Sequence, residues 1–526
     1  MRAALSIAVA VLSLSALAQE ASVDGGVAPA MAEGQGVDAG LPVPVEAVTT
    51  VEPATPAVEA APFAKIVEVN GYADSRTSFT RSRTWGLVPT DDQPQLQELL
   101  ELNAQLKVSI RPRTSVSADL SLVGNFGGFY RGLDDTGRET KLDDHVSAQV
   151  QPVVSINELY FAHEFRPEFN VLIGKKRIVW GPGLAYNPTD FLNARRDPTD
   201  PTFQRSGVWL AQAEVPLTNF TFSLVFAPTQ LKSVAGIPTH LMFWPTYDQR
   251  DDQAHYQLAA RAYALLWDSD VNLMLFYGNK ANDDFEQKLR AGASFSRVFF
   301  TDYEFHIEAL FQTGSARDII TSECVESQLA ALLCSQLKTA VITKPKLTDS
   351  TLNPRVLVGA RRNFSDDSML SIEYLFQADG WSPAQFQDFA NGLDLIRQGR
   401  ASGLPVNRIP GASQLIGGQT VDGLPTRFNF DPRARHYAFI TFQKPRIADD
   451  FTAQLVLIAN LQDLSSLWTP SVSWSATEWM TLSLFAFVPV QGLNSLSAKT
   501  TAGTYVSEYG ATPFAFRTMF EARIFY

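Results

Sequence analysis

The chain has very little cysteine or histidine for its 526 residues: two Cys (Cys324 and Cys334) and six His. A dense disulfide framework is therefore excluded. His145, His163, His240, His255, His306 and His436 are scattered without metal-ligand spacing, and no H-E-x-x-H occurs. No G-x-S-x-G is present either. Asp251, Asp252 and His255 are close enough in sequence to form a catalytic group, but a solvated loop is the simpler reading. No catalytic residue, metal or cofactor is expected. Positive charge is also short: 43 Lys and Arg against 55 Asp and Glu give a formal net charge of −12. That balance argues against nucleic acid, whose phosphates call for clustered cations. Beyond the N-terminus no apolar run reaches about eighteen residues, so no helix is expected to span a bilayer.

The N-terminus itself opens on Met1-Arg2, continues with an apolar run from Ala3 to Leu17, and reaches Ala16-Leu17-Ala18 before Gln19. A charged start, a short apolar core and small residues before the cut predict a secretory signal peptide over 1–18. The run is too short for an anchoring helix, and no cysteine beside the cut invites lipidation. Residues 19–64 are Ala-, Val-, Pro- and Gly-rich with scattered acids, and no Lys or Arg occurs from Glu20 to Ala64. Such a segment buries too little apolar surface to offset ordering, so it is read as a disordered periplasmic linker.

From Lys65 to Tyr526 the dominant pattern is strict alternation. Tyr303, Phe305, Ile307, Ala309 and Phe311 alternate with Glu304, His306, Glu308 and, after Leu310, Gln312. Leu100, Leu102, Ala104, Leu106, Val108 and Ile110 alternate with Glu101, Asn103, Gln105, Lys107 and Ser109. In a strand the two sets face opposite sides. Strand cores are expected near 67–82, 97–110, 114–127, 154–166, 169–180, 207–216, 219–228, 254–267, 269–279, 286–299, 302–313, 353–363, 367–378, 435–444, 449–460, 465–474, 477–487 and 514–526. A soluble sandwich also alternates. Three features favour a barrel in a membrane instead: charged side chains deep in the strands, a strand length of about ten residues, and aromatics near strand ends (Phe299-Phe300, Trp267, Trp180). Every second connection is tight, and most of the others are long (near 128–153, 181–206, 229–253, 314–352, 379–434 and 488–513). The fold class is therefore all-β: an antiparallel transmembrane barrel of about eighteen strands (16–18) over 65–526. Even parity places both termini in the periplasm.

The last strand places Phe514, Phe516, Thr518, Phe520, Ala522, Ile524 and Tyr526 on one face, and Arg517, Met519, Glu521 and Arg523 on the other. It resembles the terminal signal of outer-membrane barrels, with Tyr526 where Phe is usual. That resemblance implies recognition by the barrel assembly machinery through Phe520, Ile524 and Tyr526. Gly174 to Gly181 (GKKRIVWG) followed by Asn187-Pro188-Thr189-Asp190 resembles a G-x-x-x-x-x-W-G…N-P-x-D signature of porin-like families. Three cations at Lys175 to Arg177 break the alternation, which a bulge or a strand end resolves. The acidic, Pro/Ala-rich leader makes the chain similar to myxobacterial barrels paired with polysaccharide export, which implies a periplasmic export partner.

A barrel this wide encloses an aqueous path unless loops fold in. Glu101, Lys107, Lys288, Arg290, Glu304, Glu308, Arg355, Arg361, Glu373, Arg517, Glu521 and Arg523 are expected to line it. The loop near 379–434, where Ala384 to Arg397 reads as a short amphipathic helix, is expected to form the constriction. Cys324 and Cys334, ten apart in one loop, read as a local disulfide stabilising that loop by ~2–3 kcal/mol. Acid clusters (Asp134-Asp135, Asp143-Asp144, and Asp248 with Asp251-Asp252) suit divalent cations bridging lipopolysaccharide, with plain solvated charge as the simpler reading. The expected surroundings are outer-membrane lipid and lipopolysaccharide. Function is expected to be passage of hydrophilic molecules, small solutes or glycans. The alternatives are a structural or adhesive barrel acting through its loops, and an outer-membrane hydrolase.

Overall fold

The structure is a computed structural model. It describes residues 67–82, 96–111, 113–129, 153–190, 192, 207–230, 255–278, 289–314, 319–321, 341–343, 351–391, 420–421, 424–425, 432–500, 503–512 and 514–526. The expected signal peptide and linker, Lys288, both cysteines and the acid clusters of the long loops lie outside these residues.

Eighteen strands form one sheet. They are β1 (Val67–Ser82), β2 (Leu96–Arg111), β3 (Thr114–Phe129), β4 (Val153–Arg166), β5 (Phe169–Lys176), β6 (Val208–Pro216), β7 (Phe220–Gln230), β8 (His255–Leu266), β9 (Ser269–Gly278), β10 (Leu289–Phe299), β11 (Tyr303–Thr313), β12 (Leu352–Asn363), β13 (Met369–Gln377), β14 (His436–Ile447), β15 (Phe451–Asn460), β16 (Ser466–Thr477), β17 (Met480–Val490) and β18 (Phe514–Phe525). Each pairs antiparallel with its sequence neighbours, and β18 returns to β1 from Tyr72↔Phe525 to Arg81↔Phe516. The barrel is closed, so no edge is left unpaired; that condition is what lets a sheet span hydrocarbon.

Alternation sorts the faces. On β9, Leu273, Leu275 and Tyr277 are exposed outward while Asn272, Met274 and Phe276 are buried inward. On β11 the exposed set is Tyr303, Phe305 and Phe311, and the buried set is His306, Glu308, Leu310 and Gln312. An apolar exterior and a polar-bearing interior belong to a transmembrane barrel. Tight connections close one end. At one of them Leu266 pairs with Ser269, leaving Trp267 (φ 51°) and Asp268 (φ 57°) as a two-residue turn with both residues left-handed. Trp267 and Phe300 stand at such turn tips, 84% and 88% exposed. Val67 and Phe525 both lie at this tight-turn end, so the two ends of the barrel chain meet there.

Three expectations change. The fifth strand stops at Lys176 rather than continuing to 180, because the chain there turns into the lumen. Trp180 is therefore no girdle residue: it is 3% exposed and packs against Phe276 inside the barrel, the two rings tilted at 47°. Phe514 is buried with Phe485, Phe487 and Tyr509 rather than facing out, because a bulge at Arg81/Ser82 shifts the pairing at the head of β18.

The barrel seam also gives a physical reason for the terminal tyrosine. Tyr526 exchanges both backbone hydrogen bonds with Gly71, and its hydroxyl donates to the Asn103 carbonyl at 2.6 Å. Its ring lies where a Cβ on Gly71 would stand. Glycine at 71 and tyrosine at 526 thus form one clasp spanning β18, β1 and β2. Tyr526→Phe should lose one hydrogen bond, about 0.5–1.5 kcal/mol, while Gly71→Val should displace the ring and cost more. The heat needed to unfold the barrel, read as the band shift of unboiled samples on gels, ranks the two variants against wild type.

Candidate functional site: a strut across the lumen

The chain leaves the wall after β5. A bulge at Asp119/Leu120 drops Asn157 of β4 from the backbone register with β3, and on the other side the Lys175 amine donates to the Ile156 carbonyl at 2.6 Å. Lys176 stacks over Tyr160, and the Arg177 backbone N–H donates to Glu158 at 2.9 Å. The three consecutive cations are thus settled by a bulge and a strand end together. Residues 177–190 and Leu192 then fold inward. Trp180 and Leu192 pack on Leu172, Leu210, Val225, Ala227, Ala259, Met274 and Phe276, the inward faces of β5 to β9. Ala185 and Tyr186 pack on Leu357, Leu375, Tyr437 and Phe439, which belong to β12 to β14. One segment therefore touches two different arcs of wall.

The signature residues shape this strut. The Asn187 amide donates to the Trp180 carbonyl at 2.7 Å, and its Oδ1 accepts from Thr189 Oγ1 at 3.1 Å. That side chain staples the loop between Trp180 and Thr189. Gly181 sits at φ 96°, and a Cβ there would collide with Thr189, Asn187 and Glu308. The far attachment is made by two carboxylates. Glu308 on β11 accepts from Gly183 N (2.5 Å), Thr189 N (3.3 Å) and Thr189 Oγ1 (2.9 Å). Glu373 on β13 accepts from Leu184 N (2.6 Å), Ala185 N (2.8 Å) and meets His306 Nε2 at 3.0 Å. Gly359 leaves the room that the His306 ring occupies. Arg355 forks onto Asp379 (2.6 and 3.1 Å) and reaches the Tyr186 hydroxyl at 3.3 Å.

A second polar cluster lies on the wall of β18, β1 and β2. Arg76 contacts Asp74 (2.5 Å), Glu101 (3.4 Å) and Glu521 (3.4 Å), and Arg523 contacts Glu521 (2.6 Å) and Asp74 (3.3 Å) while covering the Tyr72 ring. Tyr72 donates to Glu101, and Ser121 extends the network to Asn103 and Asn157.

The strand register places Glu101, Lys107, Arg290, Glu304, Glu308, Arg355, Arg361, Glu373, Arg517, Glu521 and Arg523 on the inward side. Their environments differ. Glu101, Glu308, Arg355, Glu373, Glu521 and Arg523 are buried in the two networks rather than bathed in water, while Lys107 is exposed near the tight-turn end. Glu304 pairs with Arg361. Asp74, Arg76 and Asp379 were missed, although Tyr72-Asp74-Arg76 repeats at period two on β1, and His306 was read on the polar face of its strand without being counted as a lining residue. Residues 177–190 and Leu192 occupy the lumen, whereas most of the loop 379–434, expected to form the constriction, lies outside the described residues. Of that longer loop, residues 383–391 form a helix, and Gln387 exchanges hydrogen bonds with Lys499.

Above the lumen, at the long-loop end, Glu508 clamps the connection between β17 and β18. It accepts from Tyr437 Oη (2.5 Å), Asn460 (2.8 Å) and Arg433 N (2.9 Å). Burial, with neighbouring Asp463 adding to it, raises its pKa from 4.5 to about 7. A raised folded pKa means that the folded clamp holds a proton the open chain has lost. The stabilisation is complete below pH 4.5 and is lost as pH rises through about 7. Amide exchange of residues 505–512 should therefore be slower, after correction for intrinsic rates, at pH 5 than at pH 8, and Glu508→Gln should abolish the difference.

No protein-family model matches the chain, and no curated protein matches it. Solved structures with similar strand layout include OccAB1 of Acinetobacter baumannii, at 9% identity and TM-score 0.45 over 87% of this chain and 96% of that one. A mutant of the Rh. blastica porin aligns at 8% identity and TM-score 0.37, over 88% of this chain and 100% of that one. Salmonella typhi OmpF in complex with daunomycin aligns at 5% identity and TM-score 0.37, over 88% and 97%. At such scores the barrel assignment rests on this chain's own strand pairing.

Proposed function

We propose that this barrel is an outer-membrane channel for small hydrophilic solutes, with its aperture set by the strut 177–192. The observation that carries the reading is the strut itself, fixed to β5–β9 through Trp180 and to β11 and β13 through Glu308 and Glu373. A wide closed barrel encloses a passage, and an element tied to both walls narrows it without the wall having to move. Tight turns and chain ends face the periplasm in this reading, and the long connections face outside. A glycan chain would need the strut displaced, so small solutes suit the geometry better than polysaccharide export does. Planar-bilayer recordings should show discrete conductance steps, and proteoliposomes should admit small sugars faster than large ones. Folded, heat-modifiable protein that gives no steps and no solute entry would leave a structural barrel instead.

A further inference from the structure

We propose that the outward face at the tight-turn end of β10, β11 and β12 binds the phosphate of a glycerophospholipid through Arg297 and Arg362. The site rests on the barrel's placement in a membrane, and not on conduction. Strand register puts both cations on one patch: Arg297 lies opposite Phe305, itself opposite Ala360, while Phe299 lies opposite Tyr303, itself opposite Arg362. The exposed rings of Phe299, Tyr303 and Phe305 mark this as the membrane-facing side. Each guanidinium is held against rings, Arg297 at 5.1 Å from Phe299, and Arg362 at 4.9 Å from Tyr303 and 4.6 Å from Phe364.

What sets the pair apart is charge. Two other cations at this end are matched: Lys444 binds Asp366 at 2.7 Å, and Arg446 pairs with Asp367. Among the described residues no carboxylate pairs with Arg297 or Arg362, and Arg297 Nε is buried without an acceptor. A cation at the edge of hydrocarbon needs a counter-charge, and a planar guanidinium matches phosphate oxygens in a two-pronged geometry. The aromatic belt sits at headgroup depth, so the anion within reach is a lipid phosphate rather than a protein carboxylate. The acyl chains then run along the apolar exterior above it.

Native mass spectrometry of the full barrel in uncharged detergent, with added phosphatidylglycerol, tests the site. Wild-type protein should retain the lipid through detergent stripping. The double variant Arg297→Gln/Arg362→Gln should bind it about tenfold less, equivalent to one charge-assisted hydrogen bond. Arg446→Gln, whose cation is already paired, should match wild type. Inorganic phosphate in excess should not displace the lipid, and displacement would mean a free-anion site instead. Equal retention by the double variant, or no retention by folded wild type, overturns the proposal. A lipid-retaining barrel without conductance would sink the channel reading and leave this site standing.

Discussion

Replacing both Glu308 and Glu373 with alanine should release the strut from its far wall and give a channel of larger unit conductance. The two carboxylates accept from Gly183, Leu184, Ala185 and Thr189, and Glu373 also meets His306. Hydrogen bonds to charged acceptors contribute about 1.5–3 kcal/mol each, and the burial of both carboxylates opposes that gain. Even the net loss of one such bond shifts the ratio of attached to detached strut about tenfold. Glu308 is completely buried, so the variant also leaves a cavity that the loose segment cannot fill in its native form. Trp180, still seated among Leu210, Val225 and Phe276, should keep the near end in place. The expected record is therefore a wider and noisier open level rather than a collapsed protein. Bilayer recordings with heat-modifiability as the folding control decide it. Unchanged conductance in a folded double variant would show that the strut does not set the aperture.

The strands were legible in the sequence because a barrel wall is a local code. Parity along β11 or β18 needs only the alternation of neighbours, and the tight turns at Trp267-Asp268 and Thr301-Asp302 punctuate it. The lumen was less legible because its occupant comes from far along the chain. Glu308 meets Gly183, 125 residues away, and Glu373 meets Leu184, 189 residues away. No period in the sequence encodes such a contact. The GKKRIVWG…NPTD segment did stand out, but as a break in the alternation, and its inward fold depends on partners on β11 and β13. The charged positions read as lumen-lining were placed by parity alone, which gives direction and not solvation. Parity cannot tell a carboxylate in water from one buried against three donors.

Arg76 illustrates that difference, and its removal should be among the costliest single changes in the wall. On sequence grounds, lipid-facing substitutions such as Phe520→Asp or Ile524→Asp are the damaging ones, and Glu521→Gln or Arg523→Gln face water and are harmless to assembly. In the structure Glu521 and Arg523 are buried, and Arg76 lies within reach of Asp74, Glu101 and Glu521 together. Arg76→Met keeps most of the side-chain volume and removes the charge. Asp74 and Glu521 are then left with Arg523 as their cation and Glu101 with the hydroxyls of Tyr72 and Ser121, and breaking such a pairing costs about 3–5 kcal/mol. That is larger than the cost of Asp on the lipid face, which falls at the lower end of the roughly 2–4 kcal/mol of a charge at mid-bilayer. Arg76→Met should therefore lower the amount of folded barrel in membrane fractions at least as much as Phe520→Asp does. The cause can be separated from lost packing by adding Glu521→Gln to Arg76→Met. With one acid neutralised, the remaining carboxylates have less charge to satisfy, so the double variant should recover part of the lost yield. Phe520→Asp should gain nothing from the same second change. If Arg76→Met assembles like wild type, the cluster is hydrated in the working barrel and its charges do not need one another. Failure of Glu521→Gln to rescue it would locate the loss in packing against Tyr72 and the β1 wall instead of in charge.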